Sequence, residues 1–155
     1  MESAGIPLEI KDEKALEALA ARLAPLLKTG DVVTLVGDLG AGKTAFARAL
    51  INRLSPLPEE VPSPTFTLVQ TYDLPQLSLW HFDLYRLEEK AMDILELGWD
   101  DARREGVCLV EWPDRLGGLL PKDRLEIKIG FSKYSEKSRT VTLTPHGSWV
   151  ARLSV

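Results

Sequence analysis

Apolar positions along this chain recur with two different periods, and the changes between them mark out the elements. Behind Asp12, whose side chain suits a helix N-cap, Leu16, Leu19, Leu23 and Leu26 recur at helical spacing. That pattern predicts a helix running to about Leu27, stopped by Gly30. Leu8 to Ile10, just before it, reads as a short edge strand. Asp31-Val32-Val33-Thr34-Leu35-Val36 is β-branched and apolar, as befits a parallel strand buried on both faces. From Lys43 to Leu54 the period is helical again, with Phe46, Ala49, Leu50 and Leu54 on one face, until Ser55-Pro56-Leu57-Pro58 breaks it.

The prolines of Val61-Pro62-Ser63-Pro64 hold a stiff, extended connector that delivers Thr65 to the head of a strand, Thr65 to Asp73. After Pro75 a second strand runs from Ser78 to Tyr85. Its period of two puts His81, Asp83 and Tyr85 on one face and Trp80, Phe82 and Leu84 on the other. Glu88 to Leu95 and Trp99 to Arg104 read as helices, and Val107 to Val110 as a central strand. Arg124 to Phe131 alternates, with Leu125, Ile127, Ile129 and Phe131 inward, and Thr140 to Thr144 repeats the habit. These two form a hairpin across a charged loop, after which Trp149, Val150 and Leu153 cap an edge. With no internal repeat or linker, residues 1–155 are expected to form one α/β domain. Its mixed sheet would carry helices on both faces and end in the antiparallel hairpin.

Composition narrows the setting. Apolar residues make up 45% and charged residues 27%, a soluble profile, and no run of 18 apolar residues exists to span a membrane. Met1 to Ile6 lacks the basic and apolar regions of a signal peptide, so the cytoplasm is the expected compartment and no membrane partner is implied. Cys108 is the only cysteine, which excludes an intrachain disulfide and suits a small buried hydrophobe. A net charge of −4 speaks against autonomous nucleic-acid binding.

Chemistry enters between the strand ending at Val36 and the helix starting at Lys43. Gly37-Asp38-Leu39-Gly40-Ala41-Gly42-Lys43-Thr44 fits the phosphate-loop pattern G-x-x-x-x-G-K-[ST] without a mismatch, which makes the fold P-loop NTPase-like. The glycines let backbone N–H groups turn inward as an anion nest, and the helix adds its positive end. Asp38, Leu39, Gly40, Ala41, Gly42, Lys43 and Thr44 are thus the candidate nucleotide-binding residues. Lys43 would reach the β- and γ-phosphates and the Thr44 hydroxyl a Mg²⁺ ion, which prefers hard oxygen ligands. Such a site needs a further carboxylate and a group to orient water. Two positions compete: Glu111, at the end of an apolar strand, and Asp83, a carboxylate that needs a partner within an apolar strand. His81 reads as a satisfied, partly buried histidine, and Trp80 and Trp112 as packing.

Gly-Asp-Leu-Gly-Ala-Gly-Lys-Thr at 37–44, Ser-Pro-Thr-Phe at 63–66, His-Phe-Asp-Leu-Tyr-Arg at 81–86 and Val-Glu-Trp-Pro at 110–113 together resemble the TsaE (YjeE) family. That family is the bacterial ATPase of tRNA threonylcarbamoyladenosine synthesis, and the resemblance covers nearly the whole chain. It implies binding of ATP or ADP with Mg²⁺, and slow hydrolysis in the free protein. It also implies partnership with the threonylcarbamoyl-transferase subunit and its non-catalytic companion, with tRNA met only indirectly. By motif, Thr44 and Glu111 match the metal ligands, Asp83 the carboxylate important for hydrolysis, and Thr65 a loop threonine near the γ-phosphate. Lys43, Asp83 and Thr65 are the implied catalytic residues. Three departures stand out. Ala45 replaces a frequent threonine, Leu16 and Ala20 stand where the family often carries Thr and Gly near the base, and Asp114 replaces a Glu.

Rival readings fare less well. A small-molecule kinase would bring several lid arginines, whereas Arg103-Arg104 is the only adjacent pair, and a GTPase would carry Asn-Lys-x-Asp. A nucleotide-gated interaction module, in which ATP orders the Val61–Thr65 segment and hydrolysis is incidental, is the alternative from another class. Arg86 is the nearest candidate for a charge-stabilising arginine, and Lys133 and Arg139 are hairpin cations able to reach the nucleotide.

Overall fold

The computed structural model describes residues 5–56, 61–62, 68–87 and 91–153, the side chains of 91 and 92 excepted. In chain order the elements are β1 (Ile6–Ile10), α1 (Glu13–Leu23), β2 (Val32–Val36), α2 (Lys43–Leu54), β3 (Val69–Asp73) and β4 (Ser78–Asp83). There follow α3 (Ala91–Glu96), α4 (Trp99–Glu105), β5 (Val107–Glu111), β6 (Arg124–Phe131), β7 (Arg139–His146) and α5 (Trp149–Leu153).

The strands form one mixed sheet ordered β1-β7-β6-β2-β5-β4-β3. β2 lies between parallel neighbours β5 and β6, and β4 runs parallel to β5. β3 and β7 run antiparallel to β4 and β6. The carboxyl ends of β2, β4, β5 and β6 therefore share one edge of the sheet, the edge at which open α/β folds bind ligands. β1 closes the far side by pairing with β7, Ile6 opposite Leu143.

Alternation along the central strands divides the core in two. Val33, Leu35, Val107 and Leu109 meet Leu16, Leu19, Phe46, Leu50 and Ile51 of α1 and α2. Val32, Cys108, Val110 and Phe82 instead meet Ile94, Trp99 and Ala102 of α3 and α4. Helices thus cover both faces, as the strand composition predicts. Asp12 caps α1 by accepting from the Ala15 N–H at 2.9 Å.

Several expectations need correction. α1 ends at Leu23 rather than near Leu27, because Pro25 has no N–H to continue the ladder; a 3₁₀ turn, Ala24–Leu26, takes over. β4 ends at Asp83, so Tyr85 lies beyond the strand rather than on its polar face. Phe131, expected inward, is 57% exposed and lies instead beneath the Arg139 guanidinium, 4.9 Å from ring centroid to Cζ. The terminal segment is a helix that buries Trp149 in the core beside β7, not an edge cap. The predicted strand start at Thr65 and helix start at Glu88 fall outside the described residues.

A clamp fastens the last helix to the first crossover. Arg152 donates both Nη atoms to Asp31, at 2.8 and 2.7 Å, and also bonds the Leu26 carbonyl. Its guanidinium lies 3.8 Å from the centroid of the Trp149 ring.

Candidate functional site

The phosphate loop leaves β2 at Gly37 and enters α2 at Lys43, and its shape follows from its glycines. Gly40 and Gly42 take left-handed φ values of 79° and 117°, which few other residues tolerate. A Cβ at Gly37 would collide with the Ile129 carbonyl of β6. β6 therefore packs directly under the loop.

Strand register assembles the carboxylates. Glu111 pairs with Leu35 on one side and with Asp83 on the other, so both acids stand on one row of the sheet, facing α2. Glu111 is 2% exposed and Asp83 4%. The Thr44 hydroxyl, at the start of α2, donates to the Glu111 carboxylate oxygens at 3.3 and 3.4 Å. His81, fully buried, brings Nε2 to 2.7 Å from Glu111 Oε2 and thereby fixes the carboxylate; its Nδ1 has no partner among the described residues. The sequence reading of a satisfied histidine holds for one ring nitrogen. Asp83 Oδ1 accepts the Tyr85 N–H at 3.1 Å.

Two adjacent buried acids call for positive charge. Lys43 supplies one, its Nζ donating to the Gly37 carbonyl and, at 3.3 Å, to that of Asp38. Burial pushes the Lys43 ammonium below its ordinary pKa, while Glu111, Asp83, Asp38 and Asp114 act in the opposite direction. A divalent cation is the other candidate. Among the described residues no three His, Cys, Asp or Glu side chains are grouped to hold a metal. The oxygens of Thr44 and Glu111 are hard donors, and their separation approaches the roughly 3 Å between neighbouring oxygens of a Mg²⁺ shell. They fit Mg²⁺ if phosphate and water complete the coordination.

Trp112 is a site residue that the sequence reading assigned to packing. It adopts left-handed φ 60° and ψ 55°, turning the chain sharply out of β5. Its ring centroid lies 3.9 Å from Lys43 Nζ, and the Tyr85 ring is tilted against it at 42°, centroids 4.9 Å apart. The Val-Glu-Trp-Pro order was the available signal, because a residue following a strand-end carboxylate already faces the ligand edge. Lys43, Thr44, Asp83, Arg86, Glu111 and Trp112 line one cleft of about 300 Å³. Gly40, Ala41 and Gly42 also line a second cavity of about 560 Å³, with Leu16, Lys137 and Arg139 on its other walls. Ala20, by contrast, lies wholly in the core. Lys137 of the hairpin, unremarked in the sequence, joins Arg139 there. Thr65 lies outside the described residues. No helix among the described residues is long and apolar enough to cross a membrane.

Known proteins resemble this chain in sequence and fold. Residues 10–141 match the family described as Threonylcarbamoyl adenosine biosynthesis protein TsaE. A tRNA threonylcarbamoyladenosine biosynthesis protein TsaE of Bacillus subtilis is 41% identical over 133 residues, 85% of this chain and 80% of that one. The protein of the same name from Rickettsia felis is 38% identical over 122 residues, 79% and 71% of the two chains. A crystal structure of Bacillus subtilis YdiB aligns with a TM-score of 0.81 at 31% identity, covering 99% of this chain and 94% of that one.

Proposed function

This chain belongs to the TsaE family, and from that premise we propose that it is a Mg²⁺-dependent ATPase serving tRNA threonylcarbamoyladenosine biosynthesis. It acts in the cytoplasm, beside a threonylcarbamoyl-transferase subunit and its non-catalytic companion, and does not itself transfer the threonylcarbamoyl group. The observation that carries this reading is the convergence of Lys43, Thr44, Asp83 and Glu111 on the cleft beside the glycine loop.

Backbone N–H groups from Gly40 to Thr44 would cradle the phosphates, and Lys43 would pair with the β- and γ-phosphates. Thr44 and Glu111 would hold Mg²⁺, with His81 keeping the Glu111 carboxylate in place. Bound there, the ion neutralises negative charge on the phosphates. Asp83 would orient the attacking water, and Thr65 matches by motif the family's loop threonine near the γ-phosphate. Arg86 is the arginine of this cleft. A transition-state arginine is worth about 10³–10⁵ in rate, and with no arginine finger assigned, Arg86 being only a candidate, a slow free enzyme that accelerates with its partners is expected.

Turnover by the free protein and by its mixture with the transferase subunits tests this, alongside nucleotide affinity. Asp83→Ala is expected to keep ATP binding and lose hydrolysis, and persistent ATPase in that variant removes Asp83 from the mechanism. Glu111→Ala is expected to abolish the Mg²⁺ dependence of binding. Absence of hydrolysis under every condition, with binding intact, would favour a nucleotide-gated interaction module instead.

A further inference from the structure

Arg139 opens β7 at the same sheet edge as the phosphate loop and lies across the strand pair from Phe131. Its Nε donates to the Ala41 carbonyl at 2.9 Å. Its Nη1 donates to the carbonyls of Glu136 at 2.6 Å and Ser138 at 2.9 Å. The Ser138 hydroxyl donates in turn to the Lys11 carbonyl at 3.2 Å, which ties the hairpin to the segment before α1. The guanidinium is thus held on one side by the hairpin's own backbone and grips the loop on the other.

The gripped atom belongs to a peptide plane with unusual freedom. Ala41 precedes Gly42, and a Cβ built on Gly42 would meet only the Ile129 methyl, at 3.8 Å; one on Gly40 would meet nothing within 4 Å. Glycines so uncrowded permit rotation of the Ala41–Gly42 plane at little steric cost. In a trans peptide the C=O and N–H point in opposite directions, and no cis bond occurs among the described residues. A carbonyl drawn toward Arg139 therefore turns the Gly42 N–H to the opposite side of that peptide plane, and Gly42 also lines the cleft of Lys43 and Thr44.

We propose that Arg139 is a positioning residue that sets the Gly42 N–H as an anion donor by holding the Ala41 carbonyl. The hairpin thereby preorganises the phosphate nest before any ligand arrives. The proposal rests on the nucleotide-binding reading only for what enters the nest. The orientation of the peptide is a property of the empty protein.

Arg139→Met keeps the aliphatic stem over Phe131 and removes every donor; Arg139→Lys restores one. Lys137→Ala removes a charge from the same cavity wall without touching the Ala41 carbonyl. The probe is MgADP, titrated calorimetrically, with amide NMR spectra and thermal unfolding of the ligand-free proteins. Arg139→Met should bind MgADP about 10- to 100-fold more weakly, as expected for losing a hydrogen bond that fixes a charge-binding donor. Arg139→Lys should recover most of that loss, and Lys137→Ala, which leaves the Ala41 carbonyl held, should leave the Gly42 amide resonance of the empty protein in place. In the empty protein, the Gly42 amide should shift or broaden in Arg139→Met, while Val33 and Leu109 stay put. Parental affinity in Arg139→Met, an unmoved Gly42 amide in that variant, or an equal Gly42 amide shift in Lys137→Ala each overturns the proposal. Failure of the parent itself to bind MgADP would refute nucleotide binding instead, leaving the Gly42 amide to decide the role of Arg139. Should Arg139→Met not fold, Arg139→Lys decides by the same affinity and amide shift, with parental values expected and a Met-like loss overturning.

Discussion

Lys43 shows how one side chain reconciles opposing demands. An ammonium only 5% exposed is desolvated, yet the Asp83–Glu111 pair would repel itself without a cation. Two carbonyls and an aromatic face hold it. Lys43→Ala should weaken ATP binding at least 30-fold, about 2 kcal/mol, in a direct titration. At Cys108 the consequence is a pH effect. Burial raises this thiol from 9.0 to about 12, so the folded protein keeps the proton that the unfolded chain loses near its ordinary pKa. The unfolded state then binds fewer protons between about pH 9 and 12, and stability falls as pH rises through that window. The slope from this group reaches about 1.4 kcal/mol per unit. Urea unfolding at pH 8 and pH 10.5 should show that alkaline loss in the parent and a smaller one in Cys108→Ala.

Among the elements, α1 depends on a single capping side chain. Asp12→Ala removes the acceptor for the Ala15 N–H and should cost about 1 kcal/mol, read as a lower urea midpoint at unchanged m-value. That cap was legible because Asp12 precedes the leucine repeat directly. The central strands were legible for a similar reason: burial on both faces leaves runs such as Val32–Val36 and Val107–Val110 with little polar interruption. The end of α1 was misread, since leucine spacing continues through Leu26 while Pro25 removes the backbone donor. At the site, Lys43, Thr44, Asp83 and Glu111 could all be singled out from local pattern. That Glu111, rather than Asp83, adjoins Thr44 depends on the β5–β2 pairing, which no local period encodes. Trp112 escaped because its side-chain position comes from a left-handed turn, and nothing in the identity of a tryptophan announces one.

Across the whole molecule, distant segments are joined by interactions that sequence patterns do not expose. The Arg152–Asp31 pair is the clearest: bidentate, and largely shielded on the aspartate side. The Asp31 hydrogen bond holds the Arg152 pKa above its ordinary value. Arg152→Ala leaves Asp31 and the Leu26 carbonyl without this donor and should cost roughly 2–3 kcal/mol in chemical unfolding. Lysine, lacking the planar fork, should restore less than half.

The pairing of β1 with β7 bears on how the chain is made. β1, the earliest strand in this sequence, hydrogen-bonds to β7, the latest, and β2 needs β5 and β6 before it has either neighbour. Local helices such as α1 and α2 can form early, but the sheet must wait. Gly37 has no β6 to rest on, and Ala41 no Arg139 to meet, until the hairpin has been synthesised. The phosphate loop at 37–44 thus waits for supports that arrive much later, Arg139 lying 98 residues beyond Ala41, so ligand capture there would report a formed sheet and would not seed it.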